Sequence, residues 1–319
     1  MTLATSAFTT YAQIGRREDL SDVIYRVDPT DTPFYSGVAK EKAASIKHEW
    51  QTQALAAAVT SNAQLEGDDN VTATGTTATV RLNNECQIQI KVPRVTGTAR
   101  EMNTAGRQDE MDYQVMLNGL ELKRDVESTL LTNQAKVTGA TTTARKFASV
   151  LSWITTNTDK GTGSAANPTA ADGTGTRTDG TQRAFAESQL KSVLQQCWNS
   201  GGKPDTIMVG GFNKQQFSTF IGRGTPTQDQ ASRKITAAVD VYEGDFGRQK
   251  VMANRFMRSR DCLVLQMDMW AVAALPNRNF IAFDLAKTGD TDRKELLVEH
   301  TLVARNEKAS GGVFDLTSS

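Results

Sequence analysis

Three cysteines, two histidines and seven prolines in 319 residues leave little material for several common kinds of chemistry. Cys86, Cys197 and Cys262 are far apart and odd in number, so they form neither a CxxC pair nor the disulfide framework of a small secreted domain. A reducing compartment suits them. His48 and His300 have no cysteine or second histidine near them in sequence, which removes the usual spacing of a zinc site. No apolar run approaches about 18 residues, so no membrane span is expected. The first thirty residues hold no apolar stretch of the kind that opens a secretory signal. Net charge is also lacking, since 36 Lys and Arg balance 36 Asp and Glu. A dedicated nucleic-acid binder carries a basic excess, so that role is set aside, although local patches still allow non-specific contact with nucleic acid.

What remains is an ordinary folding composition arranged unusually. Residues 17–27 read as a short helix, and the prolines of Asp28-Pro29-Thr30-Asp31-Thr32-Pro33-Phe34 are expected to stop it. A helix and an extended segment with little core of their own read as an arm. Ile46, His48 and Trp50 then alternate with charged residues, and Val80, Leu82, Cys86, Ile88, Ile90 and Val92 keep even parity. Period two predicts two strands of one long hairpin, with a polar tip over about 64–79. Apolar spacings of three, four and seven predict a helix over 108–137, about 45 Å long, carrying Met111, Val115, Leu122, Val126, Leu130 and Val137. Asp109, Glu110 and Asp112 suit its positive end.

From Thr155 to Ala184 the only apolar side chains are alanines, which predicts an exposed, flexible loop. A second helix over 182–199 presents Ala186, Leu190, Val193, Leu194 and Cys197 on one side. A buried strand at 204–209 and a short helix capped by Asn213 follow, and beyond Ile235 the chain is rich in strands. The sum is an α+β pattern.

Motifs that suggest catalysis have simpler explanations. Asp245-Phe246-Gly247 spells a kinase magnesium triplet, but no His-Arg-Asp accompanies it, and its place between two strands predicts a turn. Gly210-Gly211-Phe212-Asn213-Lys214 lacks the Gly-Lys-Ser/Thr ending of a phosphate loop. Asp68-Asp69 and the Asp290, Asp292 pair sit among turn residues. No catalytic residue, cofactor site or metal site is expected.

The order of the pieces resembles the major capsid proteins of tailed phages, which have the fold named after phage Hong Kong 97, and among them the SU-ten-like subfamily. The residues that carry the likeness are Glu18 to Ile24 running into Asp28 to Phe34, Glu49-Trp50-Gln51-Thr52, Val241 to Gly247, Asn254-Arg255-Phe256-Met257, Met267-Asp268-Met269-Trp270, Leu285 to Asp290, and Glu299-His300-Thr301-Leu302 with Arg305-Asn306-Glu307. The resemblance implies an N-terminal arm over 1–43, an extended loop over 44–93 and a peripheral domain with a spine helix over 94–154. It further implies an axial domain over 182–240 and strands over 241–319 returning to the peripheral and axial domains; the surface loop over 155–181, read from composition as flexible, is where the likeness is weakest and is expected to be an insertion. It also implies self-assembly into pentamers and hexamers around phage DNA, in a virion capsid built in the bacterial cytoplasm. Portal protein, and scaffold and decoration proteins where present, would be its partners. The alternative is another virion protein, such as a tail-tube or fibre subunit, which lacks a spine helix of this length.

Three further expectations concern contacts. Residues 1–43 and 44–93 should touch mostly other subunits. The acidic tip Glu66, Asp68 and Asp69 should meet a basic patch to which Arg94, Arg100 and Arg107 contribute. Some members of the fold weld subunits through a loop lysine, but no lysine lies between Lys47 and Lys91, so a non-covalent shell is expected. No charge-rich helical segment precedes the arm, so any scaffold is expected to be a separate chain.

Overall fold

The computed structural model describes residues 28–67, 75–102, 104–220 and 240–318. Its first half contains α1 (Pro33–Gly37), β1 (Ala39–Lys42), β2 (Lys47–Thr52), β3 (Val80–Glu85), β4 (Gln87–Lys91), β5 (Arg94–Thr96), α2 (Gly97–Glu101), α3 (Glu110–Leu131), α4 (Val150–Trp153) and β6 (Asn157–Asp159). Then come α5 (Glu187–Asn199), β7 (Thr206–Val209), α6 (Gly211–Phe217), β8 (Val241–Gly244), β9 (Gly247–Ala253), β10 (Cys262–Leu265), β11 (Trp270–Ala274), β12 (Ile281–Asp284), β13 (Thr291–Ala304) and β14 (Gly311–Val313).

Two mixed sheets and a hairpin organise these elements. In the first sheet β13 is central: β11, β12, β4 and β5 all pair antiparallel with it, and β1 adds in parallel to β11. The second sheet runs β6-β14-β10-β7-β9-β8, and β2 with β3 forms a separate two-stranded ribbon. The stripe of α3 packs Leu122, Val126 and Leu130 into a core with Phe34, Trp153, Trp270, Val298, Leu302 and Phe314. A second core joins Leu190, Val193 and Leu194 of α5 to Ile207, Val209, Phe217, Val251 and Val264.

Several expectations from the sequence need correction. The long helix covers 110–131, not 108–137, which makes it about 33 Å long. Asp109 caps it by accepting the Met111 N–H at 2.7 Å. It ends because the next side chains bond elsewhere. Asn133 both donates to the Arg177 carbonyl (2.7 Å) and accepts its N–H (2.9 Å), while the Gln134 N–H donates to the Ser149 hydroxyl (3.0 Å). Val137 then pairs in a bridge with Lys146 rather than extending the stripe.

Part of the segment expected to be an arm is folded into the subunit. Residues 17–27, read as a helix, lie outside the described residues. Pro33 opens a helix instead of stopping one, because its fixed φ suits a first turn. Phe34 is fully buried and β1 is hydrogen-bonded to β11, so residues 33–43 belong to the subunit's own fold.

The hairpin is also shorter. Even parity persists through Val92, but at Cys86 the chain changes partner: β3 pairs with β2, whereas β4 pairs with β13. Trp50 fixes the ribbon to the body by donating its Nε1–H to the Ala304 carbonyl at 2.8 Å and stacking near Trp153. The strands of 44–93 are thus held within their own subunit, by β2–β3 pairing, by β4–β13 pairing and by Trp50.

The segment 155–181, expected to be flexible and exposed, is packed. It supplies β6, parallel to β14, and a bridge between Ala166 and Thr178. Its order comes from polar bonds rather than apolar burial. Lys136 donates to the Asp172 carbonyl (2.7 Å), and Asp315 accepts the Gly161 and Gly180 N–H groups (3.1 and 2.7 Å). Arg177 is only 3% exposed, with its guanidinium 3.4 Å from the centre of the Phe314 ring. Arg258 and Arg260 join Asp179, Asp261 and Asp315 around it.

Candidate assembly interface

The residues that reactive chemistry would use are enclosed. All three thiols are buried and unpaired, and burial pushes Cys86 and Cys197 up to about 12 and Cys262 higher still. A thiol held that high is a poor nucleophile. Among the described residues no group of three His, Cys, Asp or Glu is placed to hold a metal ion. Gly210 precedes the seven-residue α6, and Asn213 does not cap it: its side chain donates to the Ser259 carbonyl at 2.7 Å. Asp245 and Phe246 form the tip of the β8–β9 hairpin, with Gly247 at φ +121°. Cavities are open grooves, such as one of ≈ 490 Å³ lined by Ile46, Glu85, Ile88, Thr138 and Arg145.

The surface, in contrast, carries features that a lone subunit does not use. Residues 53–67 and 75–79 have no regular structure and are exposed throughout. They include Leu55 at 98%, Leu65 at 80% and Val59 at 68% exposure. Among the described residues this loop is tied at its base, by Gln53 donating to the Thr77 carbonyl (2.9 Å) and Thr79 to Gln51 (3.0 Å). On the first sheet, Ile88, Ile90 and Val92 expose the even-parity face of β4 and its extension.

The expected charge contacts separate into three groups. Glu66 is exposed on the loop, while Asp68 and Asp69 lie outside the described residues. Arg94 is exposed on β5 and makes no ion pair among the described residues. Arg100 is already matched, bridging Asp109 (2.7 Å) and Asp292 (2.8 Å), and those bonds hold both carboxyls below the usual range. Arg107 pairs with Glu110 and faces the Tyr113 ring. Arg94 and Arg107 nevertheless line one groove of ≈ 450 Å³, with Val95 and Met102 between them.

Sequence reasoning missed two surface elements. Trp198 is 57% exposed and stacks on Phe246 at 5.5 Å. The available signal was its position in α5, one residue off the apolar stripe, where a helix normally shows water a polar side chain. The second is the edge position of β8, a strand expected from the sequence but not as the outer strand of its sheet among the described residues.

Comparison with known proteins bears on these surfaces. Residues 3–317 match the family model of the SU10 major capsid protein. The major capsid protein of Escherichia phage Phieco32 is 28% identical, with 96% of each chain covered. The capsid asymmetric unit of cyanophage A-1(L) superposes with a TM-score of 0.65 at 14% identity, covering 97% of this chain and 98% of that one. A structure from Gordonia phage Cozz gives 0.61 at 10% identity, covering 99% and 98%. At such low identities the likeness is one of fold, the α+β capsid fold of the Hong Kong 97 type.

Proposed function

The chain belongs to the SU10 major capsid protein family, and from that premise we propose that its exposed loop and matching charges close a shell of pentamers and hexamers around phage DNA. It is a major capsid protein of a tailed phage and a component of the virion shell. The observation that carries the assembly reading is the described loop segment 53–67: Leu55, Val59 and Leu65 stand in water on a stretch without regular structure. Covering one such side chain stabilises by about 1.5–3 kcal/mol, and a shell repeats the gain at every contact. A neighbouring copy is the surface always available to do so. The unmatched Arg94 groove is the natural seat for the acidic tip Glu66, Asp68 and Asp69, with Arg100 and Arg107 adding to it through their acid-bridged forms.

In this reading the subunit is a binding protein for its own copies and carries out no reaction. The zero net charge limits repulsion among many copies and leaves DNA contact non-specific. Portal protein occupies one vertex, scaffold and decoration proteins are separate chains where present, and assembly takes place in the bacterial cytoplasm.

The first test is expression of the chain alone and with its phage's scaffold, followed by negative-stain microscopy. Shells or capsomer rings are expected, and boiling them in detergent should release one band near 34.7 kDa. Folded subunits that never associate would end the reading, and a ladder of covalent oligomers would end its non-covalent part. A sharper test reverses Glu66, Asp68 and Asp69 to lysine. Each exposed pair contributes only ~0–1 kcal/mol, but repetition should slow assembly several-fold and change its salt dependence. Arg94→Glu should do the same, and combining the two sets should restore the rate. Unaltered assembly in all three from low to high salt would exclude the pairing.

A further inference from the structure

The second sheet ends, among the described residues, on an open edge. β8 is bonded to β9 on one side only, so its outer N–H and C=O groups face outward. Val241 on that strand is 44% exposed. Beside it, α5 and the β8–β9 hairpin enclose a groove of ≈ 460 Å³ whose floor is Leu194, Tyr242 and Phe246. Trp198 stacks on Phe246, which lines the groove. An exposed tryptophan on a phenylalanine, beside an apolar groove, has the composition of an interface centre rather than of solvated surface.

Charges on the hairpin point to what covers it. Glu243, Asp245, Arg248 and Lys250 project from thirteen residues of chain, two of each sign, and none makes an ion pair among the described residues. Glu243 and Arg248 even stand opposite each other in register without pairing. Other charges are matched within the chain, as in Arg305 with Glu41, Lys191 with Glu187, and Arg258 with Asp179, so what sets the hairpin apart is that unpaired acids and unpaired bases lie side by side on it. Charged edge strands are a common defence against sheet pairing, which accounts for the four charges but not for the exposed Trp198 and Val241. DNA would favour one sign, and this surface has none. Unmatched acids and unmatched bases on one hairpin let a second copy set acid against base, and where the acids meet one neighbour and the bases another the contact runs head to tail, the arrangement that closes rings.

We infer that the β8–β9 hairpin and Trp198 form a head-to-tail contact with a second copy of this chain, the acids Glu243 and Asp245 of one facing the bases Arg248 and Lys250 of the next. The inference rests on the shell reading and names one of the surfaces that reading needs. It makes an unusual demand on ring size. An acid-reversed subunit (Glu243→Lys, Asp245→Lys) presents bases on both sides of the contact, and a base-reversed one (Arg248→Glu, Lys250→Glu) presents acids on both. Alone, each repels itself. Mixed in equal amounts they must alternate, and alternation closes a six-membered ring but not a five-membered one.

The experiment compares wild type, both double variants, their equimolar mixture and the quadruple variant, with folding checked by circular dichroism. Each double variant should lose at least about ten-fold in shell yield while keeping the wild-type spectrum. The quadruple variant should recover shells, and the mixture should give hexameric rings without pentamers. Wild-type shells together with normal assembly of both double variants would overturn this inference alone, whereas a wild type that never assembles would overturn the shell reading and this inference with it. Fluorescence supplies an independent readout. The acrylamide-quenchable signal that Trp198→Phe removes from the free subunit should fall several-fold on assembly. A Trp198 as quenchable in shells as in subunits would overturn the contact.

Discussion

Replacing Glu127 with alanine should lower subunit stability by roughly 3–5 kcal/mol, read as a lower urea midpoint at unchanged slope. Glu127 sits in the apolar stripe of α3 with no exposed surface. Its carboxylate accepts three hydrogen bonds from outside its own helix: the Phe34 N–H (2.8 Å), the Tyr35 N–H (2.7 Å) and the Asn254 side-chain amide (2.6 Å). Burial pushes its pKa up, and those donors, with the Lys40 charge, pull the other way. Alanine would leave three buried donors without an acceptor and a cavity beside Phe34, each a named source of large loss. Glutamine keeps one acceptor oxygen but turns an amide donor toward other donors, so Glu127→Gln should cost less than alanine, roughly 1–3 kcal/mol. A midpoint for Glu127→Ala within about 0.5 kcal/mol of wild type would mean that this carboxylate holds nothing together. Because Phe34 and Tyr35 begin the first described helix, the same variant should also loosen the root of the N-terminal segment, visible as faster amide exchange there.

What the sequence hides about this site is distance. The stripe of α3 is legible because period 3.6 is local, and Met111, Leu122, Val126 and Leu130 are buried as their spacing requires. Glu127 is not legible, since its partners lie 93 residues earlier and 127 later. The same holds for 155–181. Composition there correctly reports that no apolar core forms, but the bonds that order it come from Asp315, 135 residues beyond Gly180, and from Asn133. Alternation from Val80 to Val92 separates two faces but does not say which is covered: a change of strand partner at Cys86 leaves parity untouched, and the apolar face is exposed at Ile88, Ile90 and Val92. Of the contact candidates, the pairing of Arg107 with Glu110 follows from spacing, whereas Asp292 reaches Arg100 only through the β5–β13 register. The surfaces proposed here for other copies leave a sequence signal where apolar residues break a polar context, as at Leu55 and, though unread, at Trp198. They are hidden where the signal is a missing ion pair, as on the β8–β9 hairpin.

The pH dependence of subunit stability should show two buried groups working in opposite directions. His300 lies on β13 beside the Phe147 ring, and neither ring nitrogen has a hydrogen-bond partner. Burial, with the Lys40 charge adding to it, pushes its pKa down from 6.5 to about 3. Above pH 6.5 the imidazole is neutral folded and unfolded, so it contributes no pH dependence. Below 6.5 the unfolded chain takes a proton that the folded chain refuses, and stability falls by about 1.4 kcal/mol per pH unit down to about pH 3, roughly 5 kcal/mol in all. Asp261 behaves oppositely. Burial raises its pKa from 3.8 to about 6, against the pull of Arg258 and Arg177. Between pH 6 and 3.8 the folded chain takes the proton first, so stability rises by roughly 3 kcal/mol as pH falls. Glu127, also raised by burial, adds to the Asp261 side. The wild type should therefore lose stability from pH 6.5 to 6, level off to near pH 4, and fall again once His300 acts alone and the paired carboxylates are protonated. Substitution separates the two contributions. His300→Leu removes an unpaired buried base, and its advantage over wild type should be constant above pH 6.5 and widen steadily below. The advantage of Asp261→Asn should instead shrink from pH 6 to 3.8. Urea midpoints of unassembled subunits at half-unit steps from pH 7.5 to 3.5 test both. Curves for wild type and His300→Leu that stay parallel across that range would show that His300 is not held neutral by its burial.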